Sequence, residues 1–249
     1  MSRYHIPIAF LPEQAGVVFD NATSSPYEAS LSTYSFTHRV GSASNRALVV
    51  SVAIFAAGSV SSITYNGVAL SFVRADSNGV YRTEWWQLVA PATGSNTVQV
   101  DLSTSLTSIA EALSYSNVDQ ISPVDASGGA NGVGGTASAS ATTITVKDRV
   151  LAVIATATTT ALIDGTSQVR RALASGALGS AISTDKGDID TAGAVSSSWT
   201  GLGGLDSWAV TTIALRPVAP TITVTDPPFT LAIVCGRPSN HWITSIVNQ

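Results

Sequence analysis

Asp185, Asp188 and Asp190 are the densest gathering of groups able to do chemistry in this chain, in the run Asp185-Lys186-Gly187-Asp188-Ile189-Asp190. Three carboxylates beside a glycine offer the oxygen ligands that Ca²⁺ takes. The spacing is not that of an EF-hand, however, and acidic loops of this composition are common on surfaces, so neither a metal nor a cofactor is expected. His5, His38 and His241 are isolated from one another, with no paired-histidine or Cys/His spacing; they read as surface or capped residues rather than zinc ligands. Cys235 is the only cysteine. That excludes an intrachain disulfide, and its place in the alternating run Phe229, Leu231, Ile233, Cys235 reads as an inert buried thiol.

Other catalytic patterns fail on composition or spacing. No Gly-x-Ser-x-Gly elbow is present. Gly132-Val133-Gly134-Gly135 lacks the lysine of a phosphate loop and reads as a flexible loop. Glu111 interrupts the apolar alternation Ile109, Leu113, Tyr115; either a bulge turns it outward or it is buried with a partner. Hydrolysis of a glycoside needs a second carboxylate at a set separation, and nothing singles one out. No catalytic residue is assigned, and the chain reads as non-enzymatic.

Tryptophans are the remaining candidates. Trp85 and Trp86 are adjacent in a β-prone run and must point to opposite faces. Each ring can enter a core, anchor a protein interface or offer a stacking platform to a sugar; Trp199, Trp208 and Trp242 invite the same three readings. Asn21-Ala22-Thr23 is a glycosylation sequon, accidental in a chain with no secretory signal at its start.

The elements that must position these residues are strands. Asn66-Gly67 is the strongest local signal: it suits a two-residue type I′ turn and sets Tyr65 against Val68, Thr64 against Ala69 and Ile63 against Leu70. Ile63, Tyr65, Val68 and Leu70 then share one buried face. Leu31 to Val40 alternates, with Tyr34, Phe36, His38 and Val40 on one face and Ser35, Thr37 and Arg39 on the other. Arg46 to Phe55 is apolar on both faces, as a covered central strand is. Thr83 to Val89, Thr97 to Leu102, Ile109 to Tyr115, Val150 to Ala155, Val195 to Trp199 and Trp208 to Leu215 add further strands. Ser127 to Ala141 reads as a long Gly/Ala/Ser loop, and Gly165 to Gly193 as loop with short strand pieces. The likeness between residues 46–52 and 149–154 is assigned to similar burial, not to a repeat.

These signals predict an all-β fold, an antiparallel β-sandwich or jelly roll, with extended arms at both ends. The divisions are an N-terminal arm over 1–18, a sandwich over 19–217 and a C-terminal extension over 218–249, with Arg216-Pro217-Val218-Ala219-Pro220 as the boundary. Charged residues are only 11% of the chain and the net charge is −4, against about 25% charged in ordinary soluble domains. Arg170-Arg171 is the sole adjacent basic pair, which excludes a phosphate-backbone partner. The longest apolar stretch, Ala47 to Ala57, falls short of the ~20 residues that span a bilayer. Synthesis in a host cytoplasm without export is expected.

The segments RALVVSVAIF (46–55), SSITYNGVAL (61–70), WWQLVAPATGSNTVQVDLS (85–103), SYSNVDQISPVDAS (114–127) and WAVTTIALRP (208–217) resemble a β-sandwich module of phage virion proteins and bacterial surface proteins, over roughly residues 30–217. The resemblance implies a structural role and transfers no catalytic residue. It implies a virion component, a tailed-phage capsid decoration or cement protein that binds major capsid or tail subunits and is itself a homo-oligomer. The anchors would be Tyr4, Ile6, Ile8 and Phe10 in one arm and Phe229, Leu231, Ile233, Trp242 and Ile246 in the other. The alternative is a glycan-binding, receptor-binding module of a tail fibre or surface appendage.

Overall fold

A computed structural model of the chain describes residues 13–158 and 161–220. They contain no helix, and Gln14–Ala219 is one compact unit. The strands are β1 (Val18–Ser24), β2 (Glu28–Val40), β3 (Ala47–Ile54), β4 (Val60–Tyr65), β5 (Val68–Ala69), β6 (Ser71–Ser77), β7 (Arg82–Val89), β8 (Gly94–Ser116), β9 (Val124–Val133), β10 (Ala137–Thr142), β11 (Asp148–Thr156), β12 (Ile163–Asp164), β13 (Val169–Gly176), β14 (Gly179–Ile189), β15 (Ala194–Thr200) and β16 (Ser207–Leu215). Every ladder is antiparallel. The all-β sandwich expected from the pattern is the fold.

One strand plan is used twice. In the first copy β3 lies between β7 and β8, β6 flanks β7, β1 pairs with the later half of β8, and β2 and β4 pair mainly with its earlier half. In the second, β11 lies between β14 and β16, β13 flanks β14, β9 pairs with β16, and β10 and β12 pair with β15. The strands β15 and β16 match the two halves of β8. Because β8 runs unbroken through both layers, the first copy is a single eight-stranded sheet folded over on itself, nearly a barrel; the second stays as sheets of five and three.

This corrects the reading of 46–52 and 149–154 as merely alike in burial: β3 and β11 are the central strands of two equivalent sandwiches. The sequence likeness is also out of step. Matching Arg46 to Arg149 sets Val49, which faces the other copy, against Ala152, which faces its own core. A one-residue slip exchanges the faces of a strand, so similarity of letters hides a repeat that pairing reveals.

Each copy fills its own core. Leu48, Val50, Val52, Ile63, Tyr65, Val98 and Val100 pack inside the first; Ala152, Ile154, Ile182, Trp199 and Val210 pack inside the second. A third apolar layer joins them, where Ala47, Val49, Trp85 and Leu113 meet Leu151, Val153, Ile213 and Leu215. The contact is reciprocal. Ser51 of β3 stands between Trp85 and Glu111, and Val153 of β11 between Ser183 and Thr211. The Trp85 indole donates to the Thr211 carbonyl oxygen (3.2 Å), while the Ser183 hydroxyl donates to the Glu111 carboxylate. That exchange is the mark of a two-fold, isologous pairing.

The Asn66-Gly67 hairpin has the expected register, with Asn66 at φ 51° and Gly67 at φ 76°. Val68 departs from expectation: it is 53% exposed because the tip projects past the layer that covers Ile63, Tyr65 and Leu70. Two further corrections concern small residues. Ser127 to Ala141 is not a loop but most of β9 and β10, and Gly165 to Gly193 holds β13 and the long β14. Glycine disfavours strands unless backbones approach closely, and here they do. A Cβ on Gly128 would overlap the Ser140 carbonyl oxygen, and one on Gly132 would meet the Trp208 ring.

Gly128→Ala forces β9 off β10, an overpacking defect expected to cost ~1–3 kcal/mol. A lowered thermal midpoint checks it; an unchanged one would show that β9 and β10 do not approach as described.

Candidate functional site in the inter-sandwich layer and along one aromatic edge

Strand alternation places Glu111 on the face of β8 that meets the second sandwich, with no bulge at its rung against Ser51. Of the two placements open in the sequence, burial is the one adopted. Glu111 accepts from Ser183, whose hydroxyl is 3.0 Å from that of Ser51; its other carboxyl oxygen has no hydrogen-bond partner. Burial pushes its pKa up to about 7, against the lowering effect of the serine hydroxyls. A carboxyl that readily holds its proton is thus enclosed between two sheets.

Asp185 sits in the same layer with its charge matched. Arg171 donates to one carboxylate oxygen (2.8 Å) and Arg149 to the other (3.2 Å), and the Tyr115 hydroxyl donates to the first (3.0 Å). Arg171 also lies over the Phe19 ring at 4.0 Å. The three aspartates singled out for calcium are therefore not one ligand set: Asp185 is buried in this ion-pair cluster, Asp190 pairs with Lys147, and Asp188 lies against Gly16. Among the described residues no group of three potential metal ligands is assembled.

Sequence reasoning missed a second buried acid pair. Asp125 of β9 takes Arg216 (2.5 Å) and the backbone N–H of Ile144 (2.6 Å). Asp148 of β11 takes the Thr145 hydroxyl (2.5 Å), and the Thr145 N–H donates to Asp125 (3.3 Å). Burial, with Asp125 as its neighbour, raises the Asp148 pKa to about 7; burial opposes ionisation of Asp125 too, but Arg216 and the amides outweigh it and hold its carboxyl low. No local signal could have found this pair, because the two aspartates meet only when β9 and β11 flank β16. Glu84, also buried, accepts from the Arg82 guanidinium, the Trp86 indole and the Val60 N–H.

The histidine reading needs correction at His38. It is fully buried beside Tyr65, its Nδ1 is 3.0 Å from the Thr23 hydroxyl, and its Nε2 has no partner. Burial lowers its pKa to about 4, so it stays neutral. His5, His241, Cys235, Trp242 and every arm residue named as an anchor (Tyr4, Ile6, Ile8, Phe10, Phe229, Leu231, Ile233, Trp242, Ile246) lie outside the described residues.

Trp85 and Trp86 do take opposite faces. Trp85 is sealed between the sandwiches; Trp199 and Trp208 are buried in the second core. Trp86 is half-buried at the edge of the first sandwich, edge-on to Phe72 with ring centroids 5.5 Å apart, and Phe72 is 51% exposed. In the second copy the rung in this place is Arg170 against Thr184, closed by Arg170–Asp164 and Gln168–Thr184 hydrogen bonds. The aromatic edge therefore belongs to one copy only.

The two ends of the compact unit converge on Asn117, at φ 58°. Its side-chain amide donates to the carbonyl oxygens of Ala15 (2.9 Å) and Gly16 (3.0 Å), and its own carbonyl oxygen accepts from Val218 N–H (3.1 Å). Val118 bridges Pro217 beside it. The Val118-Asp119-Gln120 corner is fixed in turn by Asp119 accepting from Ile121 and Ser122, and by Gln120 bonding Arg46 and Ala90. No protein-family model, curated protein or solved structure matches the chain.

The buried acids set a pH dependence. Glu111 and Asp148 have folded pKa values raised to about 7. The stability they contribute is complete below the ordinary carboxyl range and lost as pH rises through 7. His38, lowered to about 4, contributes in full above its ordinary value and loses that contribution as pH falls through 4. Between the ordinary carboxyl range and pH 7 the two acids outweigh the one histidine. The urea midpoint should therefore fall from mildly acidic to neutral pH and level off above it, and Glu111→Gln should flatten that fall. An equally steep slope in the variant would remove Glu111 from the account.

Proposed function

We propose that the protein is a non-enzymatic structural component of a virion, a tailed-phage capsid decoration or cement protein that fastens to neighbouring subunits through its terminal segments. The observation that carries this reading is the common anchor at Asn117, which ties the chain near both ends to one point of a doubled sandwich. A pull transmitted through either extension is thereby loaded onto a strand junction backed by the inter-sandwich layer. Side-chain hydrogen bonds between the sheets brace the two copies against each other, Ser183 to Glu111 and Tyr115 to Asp185. The segment beyond Pro220 carries alternating apolar runs, Thr221 to Thr225 and Phe229 to Cys235, of the kind that add as a strand to a neighbour's sheet edge. Repeated over a lattice of major capsid or tail subunits, weak single contacts would hold by avidity.

A second reading, a glycan-binding module of a tail fibre or appendage, is favoured by the Phe72–Trp86 edge, an aromatic surface that the second copy replaces with polar groups.

Deleting residues 221–249 is expected to abolish incorporation into particles, and Asn117→Ala to reduce occupancy while the purified chain still melts cooperatively; gel densitometry of purified particles reads both. Full occupancy after the deletion would refute attachment through the arm. Sugar binding on a glycan array that disappears in Phe72→Ala would instead favour the second reading.

A further inference from the structure

The chain contains three Asn-Gly pairs: Asn66-Gly67, Asn78-Gly79 and Asn131-Gly132. Asparagine before glycine is chemically reactive, because glycine has no Cβ to keep its backbone nitrogen away from the asparagine side chain. Reaction requires that the side chain rotate back over the following peptide. The structure grants that freedom to one pair and denies it to the others.

Asn78 is held at both ends. Its carbonyl oxygen accepts from Val80 N–H (3.0 Å) and Tyr81 N–H (2.8 Å), and its amide donates to the Trp208 carbonyl oxygen (3.4 Å). Asn131 lies within β9, opposite Ala209, and its amide donates to Asp76 (2.6 Å). Asp164-Gly165, the related acid pair, is clamped by two bonds from Arg170. Asn66 differs: it is exposed at the tip of the β4–β5 hairpin, its backbone N–H is engaged, to Thr97, and its side-chain amide makes no hydrogen bond among the described residues.

We propose that Asn66 is a selective site of spontaneous deamidation through a succinimide. The Gly67 backbone nitrogen, deprotonated by solvent base, bonds to Asn66 Cγ. The Cγ–Nδ2 bond breaks, and ammonia leaves after taking a proton from water. Water then opens the five-membered imide at one carbonyl or the other, leaving either an aspartate with an ordinary main chain or a β-linked isoaspartate. Water is the only co-reactant, and nothing is oxidised or reduced. The β-linked product inserts a methylene into the main chain of a two-residue turn, next to the Tyr65–Val68 and Thr64–Ala69 rungs. Both products place a new negative charge at the hairpin tip of a chain whose net charge is −4.

The test incubates the folded full-length chain in mildly alkaline water enriched in heavy oxygen, followed by digestion and peptide mass mapping, with a denatured sample in parallel. In denaturant all three pairs should take up label at similar rates. In the folded chain Asn66 should label at least about tenfold faster than Asn78 or Asn131, since each side-chain hydrogen bond must break before the reactive rotamer forms. Asn66→Gly, which keeps a glycine-compatible turn, should lose the label there and leave the rest of the map unchanged. Equal labelling of the three sites in the folded chain overturns the proposal. So does an unlabelled Asn66 over the interval in which the denatured chain converts.

Discussion

Face-to-face packing of two five-stranded layers is the constraint on which the rest of this structure depends. β3 and β11 are each buried on both sides, one side in their own sandwich and the other against the partner copy. A strand in that position must be apolar in every residue or satisfy each polar group across the joint. Most positions take the first course. Ser51, Glu111, Ser183, Thr211 and Thr83 take the second, bonding to one another across the layer. Half-satisfied polar groups in such a place are costly, and burial raises the Glu111 pKa to about 7, so that it takes up a proton more readily than an exposed carboxyl.

The two copies diverge in instructive ways. In the first, β8 continues through both layers, and the β4–β5 hairpin lengthens the second layer. In the second, Gly201 to Asp206 interrupts the matching path, β12 is two residues long, and Gln168 reaches across to the Ser198 N–H in place of a paired strand. Lys186 likewise covers the Ser196 carbonyl oxygen. Side chains here do what a neighbouring backbone does in the other copy, and a lysine at an open edge also discourages unwanted strand addition. Divergence of this kind leaves the common joint intact, because the joint uses only the five-stranded layers.

Much of the fold was legible residue by residue. Asn66-Gly67 gave the hairpin because only residues tolerant of positive φ close a two-residue turn. The doubly apolar run around Val50 announced a covered strand, and the shared face of Tyr34, Phe36, His38 and Val40 followed from alternation. Legibility failed where local preference and tertiary need disagree. Gly128 and Gly132 look like loop residues and are strand residues, because Ser140 and Trp208 leave no room for a side chain. Val68 has the pattern of a core residue and is exposed, because none of the described residues covers the hairpin tip. The Asp125–Asp148 pair and the clustering of Asp185 with Arg149, Arg171 and Tyr115 had no signature at all, since their members come from separate strands.

By itself the sequence determined the element type, the strand faces and the tight turns, because period-two alternation and glycine or asparagine dihedrals act over a few neighbouring residues. The tertiary structure alone decided that the strand plan occurs twice, that the copies meet reciprocally, and which acids are paired or enclosed. Those outcomes depend on residues brought together across sheets, where burial and opposite charge outweigh any preference a short stretch of chain can express.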